Sequence, residues 1–237
     1  DCSMNTATLD ASLAHKAIGQ IAVDLPGATA VFRRLKLDFC CGGQVSLQHA
    51  CAQKGLDTDA VLAQLAPLQR QEQAAPDARD PSALIEHILT RYHAVHREQL
   101  PELVRMARRV EAVHRDHPAV PVGLADLLED MEAELLDHME KEEQMLFPAM
   151  EQAVPGVDGP IGAMRDEHTG HGALLERLAA LTHDHTPPPG ACNTWRALYA
   201  GTAQLTDDLI SHIHLENNVL FPRFEAAGGC GGACSCA

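Results

Sequence analysis

The sequence predicts an all-α protein in which a small helical domain precedes a four-helix bundle. Three observations carry this. Ala, Leu, Glu, Gln and Arg dominate while aromatic residues are only 3% of the chain, a composition that favours helix. Apolar residues recur in alternating steps of three and four along four stretches, the mark of a helix with one buried face. One short pattern is also written twice, as HMEKEEQMLFP at 138–148 and HIHLENNVLFP at 212–222.

Residues 1–75 are expected to form the small domain. A first helix should cover about 14–23. Pro26 suits the start of a second, which VFRRLKL carries to the break at DFCCGG (38–43), where Gly42 and Gly43 end it. Two further helices are expected over 45–54 and 58–71, with Gly55 as the stop between them. The stretch EQAAPDARDPS (72–82) has the composition of a linker, placed at 76–80. Asp80 followed by Pro81 is a cap and first-turn pair for the first bundle helix. The bundle should span 81–226, with later helices near 124–152, 161–182 and 192–226. Kinks are expected at Pro101, and at the matched Pro148 and Pro222. A glycine- and cysteine-rich tail occupies 227–237.

The phase of the repeated pattern places its polar residues in the core. Leu124, Leu128, Met131, Leu135, His138, Glu142 and Met145 form one stripe; Leu198, Thr202, Leu205, Leu209, His212, Glu216 and Val219 form another. A carboxylate in a core must be paired, neutralised or metal-bound. His93 and His96 lie on the stripe of the first bundle helix, and His168 and His171 on that of the third. The chain therefore repeats a unit, a helix with HxxH and then a helix with HxxxE, which predicts approximate twofold symmetry. Two glutamates can bridge two metals about 3–4 Å apart, with two histidines completing each side. Imidazole and carboxylate suit iron, manganese or zinc, so the ligand chemistry does not choose among them. Buried His–Glu hydrogen bonding without metal is the bland alternative. It would have four helices each burying polar groups without gain. Glu134, Glu140 and Glu143 fall off the stripe and read as a solvated face; His87, His114, His117, His183 and His185 read as surface or loop residues.

The stretches RYHAVHREQLPEL, HMEKEEQMLFP, EHTGH, TPPPGACNTW and HIHLENNVLFP, with DFCCGG ahead of them, resemble the hemerythrin-like di-iron proteins, and among them the repair-of-iron-centres family of bacterial stress proteins. The resemblance covers roughly residues 18–224. It implies a hemerythrin-like bundle holding two irons, oxo- or hydroxo-bridged, on His93, His138, Glu142, His168, His212 and Glu216. It assigns the first histidine of each HxxH; His96 and His171, one turn on, read as satisfied core or boundary residues, with hydrogen-bond donors supporting the ligands as the alternative. Oxygen-carrying hemerythrins have an extra histidine and a terminal HxxxxD where this chain has HxxxE, so reversible oxygen carriage is disfavoured.

The resemblance implies a role in repairing iron–sulfur clusters damaged by nitric oxide or peroxide, by iron donation, with damaged iron–sulfur proteins as partners and a homodimer as the assembly. Two alternatives stand beside it. One is a protein that binds nitric oxide or another small diatomic and lowers its concentration. The other is a redox enzyme acting on a small nitrogen oxide or peroxide with external electrons. Cys40 and Cys41 are adjacent, with Cα atoms too close for an easy internal disulfide. They read as free thiols, or as thiols paired with another group, for which the resemblance implies redox or transfer; two buried small residues in a turn are the alternative. Cys230, Cys234 and Cys236 in the tail could hold a soft metal or be incidental. Cys2, Cys51 and Cys192 have no evident partner.

The chain has 237 residues, 46% of them hydrophobic, which suffices for real cores. Its net charge of −15 argues against nucleic acid and acidic lipid as partners. No apolar run reaches membrane-spanning length, and DCSMNTATLD lacks the features of a secretory signal. The expectation is a cytoplasmic protein.

Overall fold

The computed structural model describes residues 13–25, 27–68 and 80–225. They are all-α, with one isolated antiparallel bridge between Ala17 and Ser46. Four short helices come first: α1 (Ile18–Asp24), α2 (Ala28–Arg34), α3 (Leu47–Lys54) and α4 (Thr58–Leu65). Ser46 caps α3 by accepting from the His49 N–H, and Gly55 ends it at φ 66°, a left-handed angle that glycine adopts without strain. Asp57 caps α4. Ile18, Ile21, Phe32, Phe39, Leu47 and Leu65 form their common core. The second helix is shorter than expected. It starts from a left-handed Gly27 and stops at Arg34, with Lys36 at φ 53°; Pro26 and the expected end of α4 at 71 lie outside the described residues.

The first bundle helix joins α5 (Pro81–Ile88), a π-helical turn (Leu89–His93) and α6 (Ala94–Val113). The second joins α7 (Leu124–Lys141), a π-helical turn (Glu142–Leu146) and α8 (Phe147–Glu151). The third is α9 (Asp158–Leu181). The fourth joins α10 (Asn193–Leu215), a π-helical turn (Glu216–Leu220) and a 3₁₀ turn (Phe221–Arg223). α6 packs on α7 and α10, and α9 closes the ring against the same two. No described helix is long and apolar enough to cross a membrane.

The expected kinks take a different form. α6 continues through Pro101. At Pro148 and Pro222 the ladder widens one turn earlier: Phe147 N–H donates to the Glu142 carbonyl and Phe221 N–H to the Glu216 carbonyl, each five residues back. Proline lacks the N–H and fits poorly into a regular turn, and π turns cluster at functional sites. Each wide turn also adds a residue and shifts the helical phase. Met145, expected in the core, is 69% exposed, and Leu146 is buried instead. Leu220 likewise replaces Val219 in the core. The third helix has no wide turn, and its stripe of Ile161, Met164, His168, His171, Leu175 and Leu178 is buried throughout.

Two apolar layers fill the bundle. One contains Leu100, Leu128, Leu135, Leu175, Leu198 and Leu209; the other contains Ile88, Leu146, Phe147, Ile161, Met164, Leu220 and Phe221. In every helix the polar stripe residues fall between members of these two layers.

The amino-terminal helices lie against the bundle. Arg33 Nη1 donates to Ser211 Oγ (2.8 Å), Lys36 pairs with Asp184 (2.5 Å), and the Phe39 and His214 rings meet edge to face at 5.0 Å. The DFCCGG turn is wound by Asp38, whose Oδ1 accepts from Cys41 N–H and Oδ2 from Gly42 N–H, each at 2.9 Å. Gly43 must be glycine here, since a Cβ would stand 2.5 Å from the Phe39 carbonyl oxygen.

Candidate metal centre

The structure brings His93, His138, Glu142, His168, His212 and Glu216 into one buried layer. Donor atoms of His93, Glu142, His212 and Glu216 converge as one group; those of His138, Glu142, His168 and Glu216 converge as a second. Both carboxylates belong to both groups. Glu142 lies 3.3 Å from His93 through Oε2 and 3.4 Å from His138 through Oε1. Glu216 lies 3.0 Å from His168 through Oε2 and 3.1 Å from His212 through Oε1. The imidazoles face one another in the same pairs, with Nε2 atoms 3.2 Å apart for His93 and His212 and 3.1 Å for His138 and His168. Both oxygens of Glu142 and Oε2 of Glu216 are buried and accept no hydrogen bond. Leaving such atoms unsatisfied is costly, and a cation in each group would satisfy them.

Aromatic rings wall the layer. Phe147 lies over His93 and Phe221 stacks on His168, each at 5.9 Å. This accounts for the Phe in both copies of the repeated pattern. Tyr92 stacks on His212 at 5.2 Å.

The outer ring nitrogens are held from neighbouring helices. His93 Nδ1 meets Glu143 (2.7 Å), which Arg97 also binds. His138 Nδ1 meets Glu167 (2.8 Å), which Lys141 also binds. His168 Nδ1 meets Asn217 Oδ1 (2.8 Å); His212 Nδ1 has no partner. Such partners fix a ligand's tautomer and orientation. The sequence had placed Glu143 on a solvated face, and it had not singled out Glu167 or Asn217. One signal was present: each is the chain neighbour of a stripe residue on the next helix.

Charge follows from this network. Burial opposes protonation of His93 and His138, but Glu142, Glu216 and the outer carboxylates outweigh it and raise both, His138 to about 9. Burial likewise opposes the charge on Glu216, yet His212 and His168 hold it well below the usual carboxylate range. His96 and His171 stand apart. Each is buried, neither joins a donor group, and both nitrogens of His96 and Nδ1 of His171 lack partners. Burial, reinforced by the neighbouring histidines, lowers both to about 3. They are therefore core histidines, but not satisfied ones.

Cys40 and Cys41 are free thiols. Their Sγ atoms are 3.7 Å apart, and Cys41 Sγ is 3.6 Å from the carbonyl oxygen of His168. Asn217 Nδ2 donates to the Cys40 carbonyl (3.1 Å) while Asn217 Oδ1 accepts from His168. One side chain thus links the twin-cysteine turn to a residue of the buried layer. Its contact with Cys41, burial and Asp38 push the Cys40 thiol up. Cys230, Cys234 and Cys236 lie outside the described residues.

Residues 84–224 match the hemerythrin HHE cation-binding domain, and residues 14–69 match the ScdA_N domain of unknown function. Curated relatives match nearly the whole chain. An iron–sulfur cluster repair protein YtfE from Cronobacter sakazakii is 50% identical over 87% of this chain and 94% of its own. One from Citrobacter koseri is 47% identical over 90% and 97%, and one from Escherichia coli O1:K1 is 48% identical over 87% and 94%. The chain belongs to the hemerythrin-like family of iron–sulfur cluster repair proteins. Its donor set fits that family's di-iron cofactor. Four imidazoles and two shared carboxylates supply two four-donor groups, and the unbonded carboxylate oxygens lie where two cations would need them.

Proposed function

We propose that His93 and His212 hold one iron, His138 and His168 the other, and that Glu142 and Glu216 bridge them, in a cytoplasmic protein that restores damaged iron–sulfur clusters. One observation carries the ligand assignment: each buried carboxylate presents one oxygen to each histidine pair. The repair role is supported by curated relatives of that name, close in sequence over nearly their full length. The division into a small domain over 1–75 and a bundle over 81–226 is supported by the distinct apolar clusters among the described residues; the linker expected at 76–80 lies, but for residue 80, outside them. A homodimer is the assembly that the family resemblance suggests, and it belongs to the same proposal.

Bound there, the two irons supply exchangeable metal and coordination positions for nitric oxide or another small diatomic. The chain's own residues do the rest. Phe147, Phe221 and Tyr92 exclude bulk water and keep the imidazoles in plane. Glu143, Glu167 and Asn217 orient three of the four rings. Cys40 and Cys41, half-buried beside His168, serve as the transfer thiols between this layer and a damaged cluster. Iron donation is tested by loading the chain with ⁵⁷Fe and incubating it with a nitrosylated iron–sulfur enzyme. Label should appear in the recovered cluster as activity returns. Recovery without label would leave nitric oxide removal as the function, and catalytic turnover with a reductant would favour the redox-enzyme reading.

A further inference from the structure

We propose that Asp38, Cys40 and Cys41 form a further metal site, for a single borderline divalent cation such as Zn²⁺ or Fe²⁺, outside the bundle centre. Donor atoms of the three residues lie within ligating distance of one another. The two sulfur-to-donor spacings of Cys40 match the edges of a tetrahedron. Two thiolates bound at about 2.3 Å to one tetrahedral ion stand about 3.8 Å apart, and a thiolate and an oxygen ligand about 3.5 Å. Here the sulfurs are 3.7 Å apart and Cys40 Sγ is 3.4 Å from Asp38 Oδ1. The His168 carbonyl oxygen lies 3.6 Å from Cys41 Sγ, a further oxygen beside the two thiols. Two thiolates with one or two oxygens select a borderline ion over Mg²⁺ or Ca²⁺.

The site is also preorganised. The Cys41 and Gly42 N–H groups hold both carboxylate oxygens of Asp38, and Asn217 and Asn218 hold the Cys40 carbonyl. Asp38 is exposed and both thiols are part-exposed, so an ion has a path in from solvent. Binding releases the two thiol protons to water and forms two metal–sulfur bonds and a metal–carboxylate bond. The ion would then rest against the backbone of His168, whose ring faces the bundle centre. This makes the turn a waypoint for iron entering or leaving that centre. The waypoint role rests on the di-iron reading above; the site itself does not.

The test uses the full iron-loaded chain. Zinc is titrated in, bound zinc is counted beside iron, and its ligand shell is read by X-ray absorption at the zinc edge. One zinc per chain should bind, with two sulfurs at about 2.3 Å. Asp38→Asn should weaken binding at least tenfold, and Cys40→Ser with Cys41→Ser should abolish it, with two irons retained throughout. Cys230→Ser, Cys234→Ser and Cys236→Ser together should change nothing. In the unaltered chain, zinc should protect Cys40 and Cys41 from alkylation, a readout that needs no variant. Equal zinc binding by the double-serine chain, loss of the sulfur shell with the tail cysteines, or no zinc uptake overturns the proposal. Fewer than two irons in the unaltered chain would count against the di-iron reading, while the zinc shell is read independently.

Discussion

Replacing Glu216 tests the shared-carboxylate geometry most directly. It belongs to both donor groups, whereas His93 belongs to one. Glu216→Ala should therefore remove one ligand from each metal at once, and Glu142→Ala should do the same. Both variants should purify with little iron, while His93→Ala should lose chiefly one of the two ions. Glu143 meets the outer nitrogen of His93 and Arg97 but joins neither donor group, so Glu143→Ala should lower affinity by about 10–100-fold, or about 1.4–2.8 kcal/mol, and still load at excess iron. Removing a buried charged partner also costs on the order of 3–5 kcal/mol in stability. Glu216→Gln, which keeps the shape, separates that cost from metal loss. The assay is iron per chain by elemental analysis, with Mössbauer spectra to tell the two ions apart and a thermal melt to check folding. Two irons in a folded Glu216→Ala chain would refute the bridging assignment.

Two further outcomes follow from the same network. In metal-free protein, His138 at about 9 against about 6.5 when unfolded contributes stability that is full below about 6.5 and lost as pH rises through 9. His96 and His171, lowered to about 3, stay neutral where the unfolded chain takes up protons, so stability also falls as pH drops from about 6.5. Melting temperature should peak near pH 6.5, and iron loading should flatten the alkaline side; an alkaline limb unchanged by iron would contradict this. Asn217→Asp keeps an oxygen for His168 Nδ1 but removes the donor to the Cys40 carbonyl. It should retain two irons while Cys40 and Cys41 alkylate several-fold faster, and unchanged alkylation would mean that Asn217 does not hold the turn.

Legibility in the sequence followed helical regularity. The third bundle helix is an uninterrupted α-helix, and every stripe residue assigned to it is buried. In the second and fourth helices the stripe held as far as Glu142 and Glu216 and failed one turn later, at Met145 and Val219. A π turn inserts a residue that a fixed period of 3.6 cannot represent. His138, Glu142, His212 and Glu216 come before the slip in their helices, His168 lies in the helix without one, and His93 ends a wide turn in a phase the next segment shares, so all six were readable. Glu143, Glu167 and Asn217 were not, because their roles lie across helices. Their off-stripe positions point away from their own helix's core and toward the neighbouring helix, a direction that periodicity assigns to solvent. The DFCCGG turn was legible as a turn, but its seat beside His168 depends on long-range packing through Asn217 and Asn218.

The repeat also explains why the cysteine turn docks where it does. Helices one and two correspond to helices three and four, so Glu143 and Asn217 occupy equivalent places, each following a shared glutamate and each holding the histidine of the preceding helix. Glu167 and Tyr92 correspond in the same way: each precedes a layer histidine, and one bonds His138 while the other stacks on His212. One half of the repeat therefore uses carboxylates tied to Arg97 and Lys141, and the other uses an amide and an aromatic ring. Ionised carboxylates only accept hydrogen bonds, whereas an amide accepts and donates. Glutamate at 217 could have held His168, but it could not also have donated to the Cys40 carbonyl. The departure from twofold symmetry at that position gives the buried layer a direct connection to the half-buried thiols from the side of His138 and His168.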